Sequence, residues 1–261
     1  MIDTLHYALG GFSGTLVGFV LGLVGGGGSI LAVPLLLYLV GVKEPHVAIG
    51  TSAFAVAANA AIGLLNHARA GTVNWRCGYI YAATGVVGAF GGSTLGKSID
   101  GHKLLILFAL LMIGVAILMF RSRGDEGIDG AQCNRENVGK VAAYGLGTGA
   151  FSGFFGIGGG FLIVPGLIAS THMPILRAIG TSLIAVTAFG LTTSINYAAS
   201  GLVDWTLAFV FIVGGLVGSA LGTRASRALS AEKGKLNTVF ASFVMIVAFY
   251  MLWKSWGALT A

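Results

Sequence analysis

The sequence predicts an all-α, polytopic transmembrane protein made of two inverted repeats of about five segments each, with short helices broken at glycines. Three observations carry that prediction. The composition is too apolar for a soluble domain, a long pattern recurs half a chain later, and basic residues gather at one set of segment ends.

Of 261 residues, 56% are hydrophobic and only 9% charged; a soluble domain carries about 25% charged residues. The mean hydropathy is +0.89. Such a chain cannot cover itself with polar surface in water, and in lipid it has no need to. Glycine reaches 43 residues without a collagen-like period, and small residues let membrane helices approach closely. The net charge of +6 does not point to nucleic acid, because the basic residues lie between apolar runs, where they act as topology signals. Cys77 falls in an apolar run and Cys133 in a polar stretch, so no disulfide is expected. The first segment lacks a basic n-region, carrying only Asp3 and His6, and no cleavable signal peptide is expected.

The repeat is read by aligning the chain with itself. Gly14, Gly18, Gly22, Gly25, Gly27, Gly28, Leu31, Val33 and Pro34 return 131 positions later as Gly145, Gly149, Gly153, Gly156, Gly158, Gly159, Leu162, Val164 and Pro165. After a one-residue slip, Ala48 to Ser52 returns as Ala178 to Ser182, and Gly71, Val73 and Trp75 as Gly201, Val203 and Trp205. Between 48 and 75, 13 of 28 positions are identical to their partners.

The first repeat, about 8–120, reads as apolar segments near 8–24, 29–41, 46–66, 73–96 and 102–120; the second, about 140–258, as segments near 140–155, 160–171, 176–199, 204–226 and 234–256. The second segment of each repeat is shorter than the roughly 20 residues a span needs, which predicts a tight hairpin of segments one and two. The linker, about 121–139, is charged and solvated. If segments one and two enter and return, each repeat crosses an odd net number of times. The linker face then holds 11 Lys and Arg and the other face 4. A single broken span from segments one and two would give 8 against 7 instead, so positive-inside bias favours the hairpin arrangement, with the linker cytoplasmic and the termini outside.

All nine acids fall at predicted segment ends or in loops, so a binding device has to come from neutral groups. Gly25 to Ser29 and Gly156 to Gly160 each end one segment and begin the next. The following helix N-terminus presents amides without acceptors and a partial positive charge of about +0.5, and glycines let an anion approach those amides. Candidate substrate-binding residues are therefore Gly25, Gly27, Gly28, Ser29, Gly156, Gly158, Gly159 and Gly160, joined by the hydroxyls of Thr51, Ser52, Thr181 and Ser182. The competing reading gives the glycines to close packing and the hydroxyls to helix carbonyls. Asn66 and Asn196 lie near segment ends and read as structural; Asn59 lies deeper, opposite Phe189 in the repeat. Gly91 to Ser98 matches the phosphate-loop pattern G-x-x-x-x-G-K-S, but it ends an apolar helix where that motif needs a preceding strand, and it is rejected. No catalytic residue, metal site or cofactor is expected.

The glycine breaks leading to Val-Pro (Gly25 to Pro34; Gly156 to Pro165), the Gly-Thr-Ser triplets and the Gly-x-Val-x-Trp ends (Gly71 to Trp75; Gly201 to Trp205) resemble the duplicated pattern of the TauE/SafE family of membrane proteins, over nearly the whole chain. The resemblance implies one transmembrane transporter domain over 1–261 in the cytoplasmic (inner) membrane. It also implies transport of a small sulfur-containing anion such as sulfite, sulfoacetate or another organosulfonate. Alternating access at a midplane site is the expected mechanism, and a passive small-anion channel is the alternative. The expected partners are that anion, the bilayer and, as an assembly the sequence permits, a second copy in a homodimer.

Overall fold

In the computed structural model, residues 4–24, 26–121, 133, 137–228, 241–242 and 244–254 are described. The apolar segments become helices close to their predicted bounds. They are α1 (Thr4–Val24), α3 (Pro45–Arg69), α4 (Trp75–Ser98), α5 (Gly101–Arg121), α6 (Val138–Phe155), α7 (Gly160–Thr171), α8 (Ile175–Ala198) and α9 (Trp205–Ala228). A last apolar helix, α10, covers Val244–Lys254. The short second segment, α2, is a composite of 3-10 turns (Gly26–Leu31), one α-turn (Ala32–Pro34) and π-turns (Leu35–Val40). Its counterpart α7 holds Pro165 inside the helix. A proline there removes an amide donor, yet α7 runs as one α-helix, so only the first repeat's short helix is irregular. Segments within α1, α3, α8 and α9 are long and apolar enough to cross a bilayer. α4 matches them in length at 24 residues, with six glycines along it.

Those glycines explain the packing. The first helix of each repeat lies along the fourth helix of the other. Gly14 abuts the backbone of Phe211, Gly18 that of Gly215, and Gly222 that of Phe19, so α1 and α9 run parallel. The same contact recurs between α4 and α6, where Gly149 abuts Gly85, Gly153 abuts Ala89 and Gly96 abuts Phe154. A side chain at any of these crossings would force the backbones apart, and contact this close is what gives membrane helices their dispersion energy. The two third helices, α3 and α8, pair antiparallel at the centre, with Gly190 against Ala53 and Ala57 and Gly63 against Leu183.

Each helix end can be placed on one of two faces. Gly101 touches Pro45, Lys97 bonds Asn196, and Gly10 touches Leu207. One face therefore holds the starts of α1, α3, α5 and α9 and the ends of α4 and α8. The other holds the end of α3 and the starts of α4 and α8, joined by a bond between Asn74 and Thr181. α1 starts at the face where α3 starts and α2 leads back to it. α1 and α2 thus form an entering and returning hairpin, α6 and α7 form its counterpart from the opposite face, and the halves are inverted.

The conserved-looking turns tie the halves together. Gly50 sits against the Leu202 carbonyl, and Thr51 Oγ1 accepts the amide of Asp204 at 2.9 Å. In the mirror position Gly180 sits against Thr72, and Thr181 Oγ1 accepts the amide of Asn74 at 2.9 Å. Each Gly-Thr-Ser triplet is therefore bonded to the Gly-x-Val-x-Trp turn of the other repeat. Asn74 and Asp204 in turn cap α4 and α9, accepting the amides of Cys77 at 3.2 Å and Leu207 at 2.9 Å.

One sequence expectation is overturned. Cys77 and Cys133 are bonded to each other, with Cα atoms 5.4 Å apart. Cys133 lies against the first turn of α4, a contact that the segment types of the two cysteines could not reveal.

Candidate functional site

The second glycine break is built from three departures from helical geometry within four residues. Gly156, Gly158 and Gly159 have φ of +65°, +64° and +68°, a left-handed conformation that side chains rarely adopt. Gly156 ends α6, its amide bonding back to the carbonyls of Ser152 and Gly153. Gly159 is the N-cap of α7, with no side-chain cap. The amides of Leu162 and Ile163 both reach the Gly159 carbonyl, at 2.9 and 3.0 Å. Gly160 and Phe161, before them in the first turn, have no intrahelical acceptor to reach.

The break lies at mid-depth. A Cβ built on Gly158 would lie 2.8 Å from Val56 and 3.5 Å from Val186, each about eleven residues into the central helices α3 and α8. Residues 155–161 are buried. Irregular backbone at this depth persists only where protein surrounds it or a cavity is lined by it.

The first break takes another form. Gly27, Gly28 and Ser29 lie in the 3-10 stretch of α2, and Gly25 lies outside the described residues. Gly28 has no left-handed φ and presses on α1, where an added Cβ would lie 2.5 Å from the Leu21 amide and 3.0 Å from its Cγ. The 3-10 stretch packs against α7, so the two breaks meet, as the inverted repeat requires. Ser29 is fully buried.

The four triplet hydroxyls are buried and engaged. Thr51 and Thr181 hold the turns described above, while Ser52 donates to Ile49 O at 3.0 Å and Ser182 to Ile179 O at 2.7 Å. Asn196 bonds Lys97 and also donates to Ser93 Oγ and Thr94 Oγ1. That cluster occupies the residues of the rejected phosphate-loop match, which the structure places inside the last turns of α4.

Ser152 escaped sequence reasoning, whereas Asn59 reads there as a deep polar group with an apolar counterpart. Ser152 is fully buried, and its hydroxyl has no partner. Asn59 is 6% exposed, lies over Gly215, and has neither amide atom bonded. An unpartnered buried polar group costs about 1–3 kcal/mol. In the sequence the only signal was a mismatch within the repeat, Ser152 against Leu21 and Asn59 against Phe189. At the linker face an open recess of about 250 Å³ is lined by Asn74, Trp75, Arg76, Cys133 and Arg177. It brings one guanidinium from each repeat to the same opening.

Paired broken helices at the centre of inverted helical repeats define a multi-pass membrane transporter. Residues 11–251 match the sulfite exporter TauE/SafE family, and the chain belongs to it. A probable membrane transporter protein of Xylella fastidiosa (strain 9a5c) is 56% identical, covering 100% of this chain and 99% of its own length. Probable membrane transporter proteins of Methanocaldococcus jannaschii and Bacillus subtilis (YdhB) are each 28% identical, covering 91% and 80% of this chain and 93% and 86% of their own. No solved structure matches the chain.

Proposed function

We propose that this protein carries a small sulfur-containing anion, such as sulfite, sulfoacetate or another organosulfonate, across the cytoplasmic membrane by alternating access. The observation that carries the reading is the buried break at mid-depth, where left-handed glycines leave the first turn of α7 without a side-chain cap. Amides at a helix N-terminus stabilise an anion without a buried cation. The family name supplies the substrate class. Arg76 and Arg177 at the linker-face recess would concentrate anions at its mouth. The excess of basic residues on that face supports a cytoplasmic position for it.

Thermal unfolding of the detergent-purified protein tests the binding, with sulfite, thiosulfate, sulfoacetate, taurine, sulfate, phosphate and acetate as probes. A ligand present at 100 times its Kd and bound only by the folded state adds about 2.7 kcal/mol. Selective stabilisation by a sulfur oxyanion or sulfonate is expected, and no response from folded protein would reject an anion as substrate. Flux into proteoliposomes should saturate; unsaturable flux carrying macroscopic current would indicate a channel instead.

A further inference from the structure

We propose that the Ser152 hydroxyl binds an oxygen of the transported anion, and that the oxyanion site exists at the second glycine break alone. This rests on reading the α7 N-terminus as the substrate site. Helix hydroxyls in this protein normally donate to a carbonyl three or four residues back. Ser52, Ser93, Ser170, Ser182 and Ser194 all do so, at 2.7–3.2 Å. Ser152 has the same opportunity on α6, is fully buried, and has no partner.

Its position explains what the hydroxyl is for. A Cβ built on Gly159 would lie 2.8 Å from Ser152 Oγ, so the hydroxyl rests against the N-cap of α7. The next two amides along the chain from that N-cap, of Gly160 and Phe161, have no intrahelical acceptor. One hydroxyl and two amides, in a setting without a buried cation, suit a small oxyanion whose negative charge is spread over several oxygens. A sulfonate or sulfite has that character. Ser152 would donate to one oxygen and the amides to another.

The first repeat supplies the control within the same molecule. Gly28 and Leu21 correspond to Gly159 and Ser152 at the offset of 131, and they touch in the same way. There the side chain is apolar and the backbone follows 3-10 turns. One break is equipped to bind and the other to pack, so one anion is bound per molecule.

The test measures the apparent Kd of sulfite, thiosulfate and sulfoacetate by thermal shift, together with sulfite flux in proteoliposomes. Variants are Ser152→Ala, Ser152→Leu and Leu21→Ala. Ser152→Ala should fold with an anion-free Tm equal to or above wild type, since it removes an unpartnered polar group, and should bind about tenfold more weakly. Ser152→Leu, which installs the first repeat's residue, should abolish binding and flux. Leu21→Ala should leave Kd within twofold, whatever it costs in Tm. If the wild type binds and Ser152→Ala binds equally well, the assignment of Ser152 fails while the α7 site stands. If folded wild type binds none of these anions, the α7 reading fails and this assignment with it.

Discussion

The two glycine breaks began as copies of one sequence and now differ in backbone and side chains. Gly156 to Gly159 turns left-handed three times and leaves a helix start uncapped, whereas Gly26–Leu31 winds through as 3-10 turns pressed against Leu21. A second divergence lies nearby. Asn59 covers Gly215 with an unbonded amide, while its counterpart Phe189 covers Gly85 and stacks on Tyr81 with ring centroids 6.4 Å apart. The helix crossings, by contrast, are nearly unchanged between the halves. Duplication preserved what holds the helices together, and divergence concentrated where a ligand would sit. Two of the interior polar groups without partners, Ser152 and Asn59, stand at positions where the other repeat has Leu21 and Phe189.

The largest effect should come from breaking a crossing that both halves share. In Gly149→Leu the side chain meets the Gly85 backbone, and overpacking with no room to yield should cost more than about 3 kcal/mol. Loss of the monodisperse peak in detergent chromatography is the expected result. Gly147, two residues away on the same helix, has nothing within 4 Å of an added Cβ. Gly147→Ala should be silent or slightly stabilising, because alanine is the better helix former. Equal damage from both would mean that α6 tolerates no change at all and that the crossing is not the reason.

Next come the threonines that bond the turn of the opposite repeat. Thr51→Val and Thr181→Val each leave one part-buried amide, of Asp204 or Asn74, without its acceptor. Each should lower stability by about 1–2 kcal/mol, read as matching falls in Tm. A matched pair would mark a structural device repeated twice. If one variant lost anion binding at unchanged Tm, that threonine would belong to the transport site.

Much of this was legible in the sequence. The period of 131 located both breaks and both short helices, and the apolar runs fixed helix bounds to within a few residues, because membrane helices must be long, apolar and uncharged. What stayed hidden was which helix meets which. Nothing local to α1 says that it lies on α9 rather than on its chain neighbour α3. The Thr51 bond spans 153 residues and the Thr181 bond 107, and the Cys77–Cys133 contact depends on where the linker folds. Ser152 was passed over because a lone serine in an apolar run usually back-bonds to its own helix. Ser13 and Thr193 also lack partners; Ser152 is set apart because its unbonded hydroxyl rests against the N-cap of α7.

A third comparison concerns the unbonded amide. Asn59→Leu keeps the size of the side chain and removes two polar atoms that have no partner in the anion-free protein. Stability should rise by about 1 kcal/mol, a Tm increase of about 2–4 °C for a chain of this size. A fall would mean that the amide is bonded in solution, and that this half is less strained than its unpartnered atoms imply.

The smallest expected difference separates the two caps that grew from one position. Asn74 and Asp204 accept the same amide, three residues on, at the starts of α4 and α9, one as a neutral group and the other as a carboxylate. A negative charge at a helix N-terminus is worth about 0.3–1 kcal/mol, so Asp204→Asn should lose about that much while keeping the bond. Asn74→Asp should gain less. Arg76 in the neighbouring recess would welcome the charge, but Cys77 makes the second residue of the cap a partner of the linker rather than of solvent. The measurement is the Tm of both variants with and without 0.5 M salt, which cuts the Debye length from about 30 Å in dilute buffer to about 4 Å. If Asp204→Asn causes no loss at either salt concentration, the carboxylate acts through its hydrogen bond and not through its charge, and the two caps are equivalent despite their different chemistry.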